Sequence, residues 1–226
     1  MTSLVFAALF FFAIHVGIAG SQLRDRLVSR LGEKGYLGFF SLLSIVGITW
    51  LCWAYSLAPT VWWATPAEWT RPVAWGLVFV AFLFVGVGAA TPSPTAMGGD
   101  AQIDSEDAVR GILRITRHPV LWGIAIWAAA HAIANPDVAS AILFVCLLAV
   151  ALAGPPTIDA KRSRRFGERW GPFAAVTSRL PFGAILSGRN RLVLSEIGAW
   201  RVALAVGLYA LFAGIHPWLF GVPAIG

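Results

Sequence analysis

Four histidines stand in a chain otherwise poor in titratable groups. His15, His131 and His216 fall inside long apolar runs, and His118 sits at the edge of one, in Arg117-His118-Pro119. No Asp, Glu, Lys or Arg interrupts the first five of those runs. An imidazole at membrane depth is a functional candidate by default; otherwise it is a neutral ring bonded to a neighbouring helix. Zinc hydrolysis asks for converging ligands with a carboxylate base, and no His-Glu-x-x-His is present. A proton relay asks for carboxylates within the spans. Imidazoles from different helices among Phe and Trp suit the axial positions of a b-type haem. Arg117 and its neighbouring arginines can pair with propionates, or serve only orientation and anionic lipid. Cys52 and Cys146 lie in apolar runs and read as small core residues.

The elements carrying these residues follow from composition. The chain has 226 residues, 58% hydrophobic and 12% charged, with mean hydropathy +0.75; soluble chains are roughly 25% charged. A soluble fold, a disordered chain and a disulfide scaffold are all excluded. Net charge +6 does not signal nucleic acid, because the basic residues gather between apolar runs. Six runs appear, at 3–20, 36–58, 72–90, 119–134, 138–154 and 202–222. The expected fold is all-α: a polytopic helical membrane protein with about six transmembrane helices, forming one domain over 1–226. The two shortest runs are joined by Asn135-Pro136-Asp137 and form a short hairpin. Of the 17 Lys and Arg residues, all but Arg71 fall on one side. That side is cytoplasmic, which puts the N- and C-termini outside. The first run lacks the basic start of a signal peptide and is expected to stay as a helix.

Two cytoplasmic loops, 91–118 and 155–199, hold most of the polarity. Residues 91–104, rich in Pro, Gly and Ser, read as flexible. A helix capped by Asp104 or Ser105 is expected next, with Arg110, Arg114 and Arg117 on one face beside Val109, Ile112 and Leu113, lying on the leaflet. Pro119 opens the following helix. Residues from Asp159 to Trp170 read as another surface helix.

Several stretches together resemble the NnrU family of bacterial integral membrane proteins along nearly the whole chain. They are Phe12-Ala-Ile-His15, Arg30-Leu-Gly-Glu-Lys-Gly-Tyr36, Ile115-Thr-Arg-His-Pro-Val-Leu-Trp-Gly123, Trp127-Ala-Ala-Ala-His131, Ala134-Asn-Pro-Asp137 and His216-Pro-Trp-Leu-Phe-Gly221. Plant zeta-carotene isomerase resembles the same superfamily. The resemblance implies a multi-pass protein of the bacterial inner membrane. It implies haem b with His15 and His131 as axial ligands of the iron, and with Arg117 and His118 in the motif between them. It also implies a role in nitrogen-oxide (denitrification) metabolism or in polyene cis–trans isomerisation, with a hydrophobic small molecule or a redox partner. One departure stands out: Ala128 occupies the place of the relative's cysteine, three residues before His131, so no thiol there can switch ligands.

Helix rise alone suggests another pairing. His15 lies ~7 Å from the inner end of its span and His131 ~18 Å above Pro119. Depth would therefore match His15 with His118, and His131 with His216. The Arg-His-Pro motif followed by Phe166-Gly-Glu-Arg-Trp170 also resembles membrane methyltransferases of the isoprenylcysteine type. There Arg117, His118, Asp159, Arg165, Glu168 and Trp170 would hold S-adenosylmethionine. A haem-free accessory protein is the third class.

Overall fold

The computed structural model describes residues 1–224. In chain order the helices are α1 (Thr2–Phe12), α2 (Gln22–Ser56), α3 (Thr70–Ala89), α4 (Ile112–Ile115), α5 (Pro119–Ala134), α6 (Val138–Phe166), α7 (Trp170–Val176), α8 (Gly183–Leu186) and α9 (Ala199–Phe220). Helix α1 continues as a π-helical stretch, Ala13–Ile18, and short 3-10 turns lie at Asp100–Asp104, Gly167–Arg169 and Leu194–Glu196. The protein is all-helical, and the six apolar runs become α1 with its π extension, α2, α3, α5, α6 and α9. Helices α2, α3, α9 and α6 with its continuation to Val176 are long and apolar enough to cross a bilayer; Thr2–Ile18 and Pro119–Ala134 are apolar but shorter. Large apolar side chains such as Phe6, Leu9, Leu42 and Ile45 are exposed along them, a surface that a soluble monomer does not carry.

Local chemistry sets the helix ends. The Ser21 hydroxyl caps α2 by accepting from Leu23 N–H at 3.2 Å, with Asp25 in the first turn. Gly32, at φ 71°, bends α2 where its polar start meets the apolar run. Pro119 opens α5, as its sequence position predicts. Asp137 caps α6 by accepting from Ser140 N–H at 3.0 Å.

The described residues form two compact units. The first contains Met1–Ala74 and Ala128–Thr157. Its interior is built from small residues that let helices approach closely. A Cβ on Gly47 would lie 3.1 Å from the Phe11 ring, and Leu4, Ala7, Leu51 and Ala130 are fully buried. The Asn135–Asp137 turn pairs with the α2–α3 connection, Val138 N–H donating to Val61 O at 2.9 Å and Trp63 N–H to Pro136 O at 3.2 Å.

The second unit contains Trp75–Trp127 and Ile158–Gly226. Helices α3 and α9 touch at Gly86 and Ala205, and α3 meets α5 where Val85 lies against Gly123. Ile103, Ala108, Phe166, Trp170 and Phe173 form a small core beneath the polar segments.

Three local expectations change. Residues 100–104 are not loose, because Asp100 pairs with Arg162 and Arg165, and Asp104 with Arg169 at 2.7 Å. The leaflet helix through 110–117 does not form. Gly111, at φ 55° and ψ −121°, breaks the chain, and only the four-residue α4 follows. The surface helix from Asp159 is the continuation of α6, which runs through Pro155 and Pro156 to Phe166.

Candidate functional site

His15 lies in the π-helical stretch, where Ala19 N–H donates to Ile14 O, five residues back, at 3.2 Å. Such a stretch is a rare insertion into an α-helix and is frequent at functional sites. The His15 Nδ1 lies 2.8 Å from the Phe11 carbonyl. A carbonyl only accepts, so Nδ1 carries the proton and Nε2 presents its lone pair. Phe11 packs on the ring at 4.2 Å between centroids and Phe40 meets it edge-on at 5.4 Å. His131, in the last turn of α5, packs on Phe144 of α6 at 4.9 Å. The half-buried His15 and His131 belong to the same unit. Cys146 lies in that unit too, its thiol donating to Ala8 O at 3.3 Å.

Arg117 and His118 belong to the other unit, in the extended link between α4 and α5. Both are buried against Asp159 of α6. The Arg117 Nε donates to both Asp159 oxygens at 3.1 Å, and Nη2 to Oδ2 at 2.7 Å. Its Nη1 reaches Thr177 Oγ1 at 3.2 Å, and its guanidinium lies 5.7 Å from the Trp170 ring centre. The His118 Nε2 donates to Asp159 Oδ1 at 2.8 Å. Burial pulls the His118 imidazole below its ordinary value, outweighing the upward pull of the Asp159 bond. The ring is therefore neutral, and Arg117 supplies the charge that balances Asp159. The backbone is tied down as well: Arg117 N–H donates to Ser178 O at 3.0 Å, and Thr95 Oγ1 to Arg117 O at 2.5 Å.

The three arginines expected on one face have three different fates. Arg110 is exposed and pairs with Asp107 at 3.1 Å. Arg114 makes a two-point pair with Glu196, Nε at 2.6 Å and Nη2 at 2.9 Å. Arg117 is consumed by Asp159. The Arg114 bond, reinforced by Gly111 N–H, outweighs desolvation and holds the Glu196 carboxyl down to about 2. Thr95, Thr177 and Glu196 carry no signal in sequence; they matter through contacts with residues far along the chain. Of the methyltransferase-like positions, Arg117, His118, Asp159 and Trp170 converge. Arg165 instead pairs with Asp100, and Glu168 is exposed. His216 lies in the second unit, its Nδ1 2.7 Å from Val222 O and its ring 4.7 Å from Phe220.

Among the described residues, no three of His, Cys, Asp and Glu gather as a bare metal ion requires. A haem brings its own equatorial nitrogens and asks the protein for only one or two axial donors. His15, with Nδ1 anchored and Nε2 available, fits that demand, and His131 supplies a second imidazole in the same unit.

Comparison with known proteins finds curated relatives and a family. The chain is 28% identical over 192 residues to the chloroplastic 15-cis-zeta-carotene isomerase of Arabidopsis thaliana, covering 81% of this chain and 50% of that protein. It is 27% identical over 189 residues to the enzyme of the same name from Zea mays, covering 80% and 50%. The chain thus spans about half the length of these curated relatives. No solved structure matches it. The NnrU protein family model matches residues 3–224, and the chain belongs to the NnrU family.

Proposed function

We propose that this protein binds haem b through His15 and His131 and acts as a cis–trans isomerase of a long, conjugated polyene. The observation that carries the proposal is His15: its π-helical backbone, its Nδ1 proton fixed on Phe11 O, and its Nε2 left as a donor. The relatives named as 15-cis-zeta-carotene isomerases give the substrate class. When bound, a haem iron supplies a Lewis-acidic, one-electron centre that eases rotation about a conjugated double bond. The chain's own part is to hold the imidazoles and keep water away. The Phe11 carbonyl orients His15 and raises the basicity of Nε2. Phe11, Phe40 and Phe144 wall the two rings with apolar surface that a porphyrin or a polyene can share. The Arg117–Asp159 pair acts at a distance, by fixing the start of α5, the helix that carries His131. Arg117 and Asp159 satisfy each other, which weighs against both serving a nucleotide. The proposed setting is the bacterial inner membrane, with the arginine-rich segments on the cytoplasmic side.

The test is the absorption spectrum of detergent-purified protein, followed by incubation with a 15-cis polyene. Wild type should show a Soret band that moves on dithionite reduction, together with loss of the cis absorption of the polyene. His15→Ala and His131→Ala should each convert a low-spin spectrum to a high-spin one or abolish it. A colourless wild-type protein would overturn the haem assignment. A coloured protein inert toward polyenes would leave redox support of nitrogen-oxide metabolism as the better reading.

A further inference from the structure

A second candidate site lies within the second unit, on residues that the proposed function does not use. A cavity of about 480 Å³ is lined by Arg114, Arg189, Asn190 and Arg191, with Val109 and Val176 as its apolar wall. Its charges are not equally available. Arg114 is neutralised by Glu196 and further fixed to Asn190 Oδ1 at 2.8 Å. Arg189 bonds only neutral oxygens, Ala175 O at 2.6 Å, Thr177 O at 3.2 Å and Ser187 Oγ at 2.8 Å. The Arg191 guanidinium has no ion pair or hydrogen bond to the described residues. Two uncompensated cations therefore border a concave site whose polar wall is held rigid. That is the arrangement that recognises a phosphate, which a guanidinium grips at two points.

The apolar surroundings select the kind of phosphate. Leu186 is 85% exposed, Leu194 69% and Leu192 42%, all within a few residues of the arginines. Leu194 stands five positions before α9, an apolar helix of 22 residues. These leucines therefore precede, along the chain, a helix long and apolar enough to cross a bilayer. A soluble phosphate compound would leave them in water, whereas acyl chains would cover them. Arginines interleaved with exposed leucines beside a spanning helix match a charged headgroup and its chains. We propose that this cavity binds the phosphodiester headgroup of an anionic phospholipid, with the acyl chains lying over Leu186, Leu192 and Leu194.

The experiment titrates delipidated protein in a neutral maltoside detergent with dioctanoyl phosphatidylglycerol, dioctanoyl phosphatidylcholine or glycerol 3-phosphate, and counts bound ligand by native mass spectrometry. Wild type should prefer phosphatidylglycerol. Arg191→Gln should weaken that binding about fivefold, the effect of one basic residue near a membrane surface, and Arg191→Lys less. The Arg191 guanidinium makes no ion pair or hydrogen bond among the described residues, so thermal unfolding of the variant should match wild type; Leu186→Ser is the independent second variant and should also weaken lipid binding. Equal binding of the two lipids, or unchanged affinity in Arg191→Gln, overturns the proposal. Displacement by glycerol 3-phosphate at the same concentration as phosphatidylglycerol also overturns it, since the site would then serve a soluble anion.

Discussion

Asp159 grips Arg117 at two points, Nε and Nη2, and takes a further hydrogen bond from His118. Removing one partner of such a buried pair leaves the other charge unbalanced, at a cost of about 3–5 kcal/mol. Asp159→Asn should therefore destabilise strongly. Arg117→Lys keeps the charge but loses the planar fork, so about 1.5–3 kcal/mol is expected. Thermal unfolding in detergent should rank wild type first, Arg117→Lys next and Asp159→Asn last. Haem lost from Arg117→Lys without any loss of stability would place Arg117 on the cofactor instead.

Glu196 gives a pH dependence with a defined direction. Its carboxyl sits at about 2 in the folded chain against an ordinary 4.5, chiefly because Arg114 donates to it. The folded state therefore holds fewer protons than the unfolded one between these values. The resulting stability is complete above about pH 4.5 and is lost as pH falls toward about 2. Glu196→Gln should remove this contribution and flatten the acid limb of an unfolding-against-pH curve. Parallel acid limbs for wild type and variant would mean that the pair adds nothing.

Two glycines of α3 should respond in opposite ways to the same change. A Cβ at Gly86 would lie 2.7 Å from Ala205 Cβ and 2.9 Å from its Cα, whereas one at Gly76 meets nothing within 4 Å. Alanine gains roughly 0.5–1 kcal/mol over glycine within a helix. Overpacking costs about 1–3 kcal/mol. Gly76→Ala should raise the unfolding temperature and Gly86→Ala should lower it. A rise in both would show that α3 and α9 separate easily.

Orientation is checked by reporter fusions. Because the distribution of basic residues predicts that all but one face the cytoplasm, a reporter active only in the periplasm should work when fused at the C-terminus. It should be silent when fused within 161–169. The reverse pattern would invert the membrane orientation.

The helical framework was largely legible in the sequence, because apolar runs, prolines and a turn tripeptide act locally. Pro119 and Asn135–Asp137 mark helix boundaries where the sequence placed them. The failures share a cause. The arginine face at 110, 114 and 117 looked helical because periodicity cannot see Gly111 turning to φ 55° while its N–H reaches Glu196, 85 residues away. Residues 91–104 looked loose because their restraints, Arg162 and Arg169, lie some 60 residues downstream. At the candidate site, His15 and His131 stood out against their apolar context. Asp159 surfaced only within a motif, and Thr95 and Thr177 not at all.

The π-helical stretch at Ala13–Ile18 has a consequence for how His15 is aimed. One additional residue per turn delays the winding of the backbone, and each residue of an ordinary helix accounts for about 100° of rotation. Deleting a single residue there would let the stretch relax to an α-helix. The span would keep its hydrophobicity and nearly its length, and because the lost residue offsets the faster winding, the flanking turns would keep their register while the His15 ring alone changed its bearing. The bearing of the imidazole is thus stored in a count of residues rather than in their kind, which is information that no hydropathy profile carries.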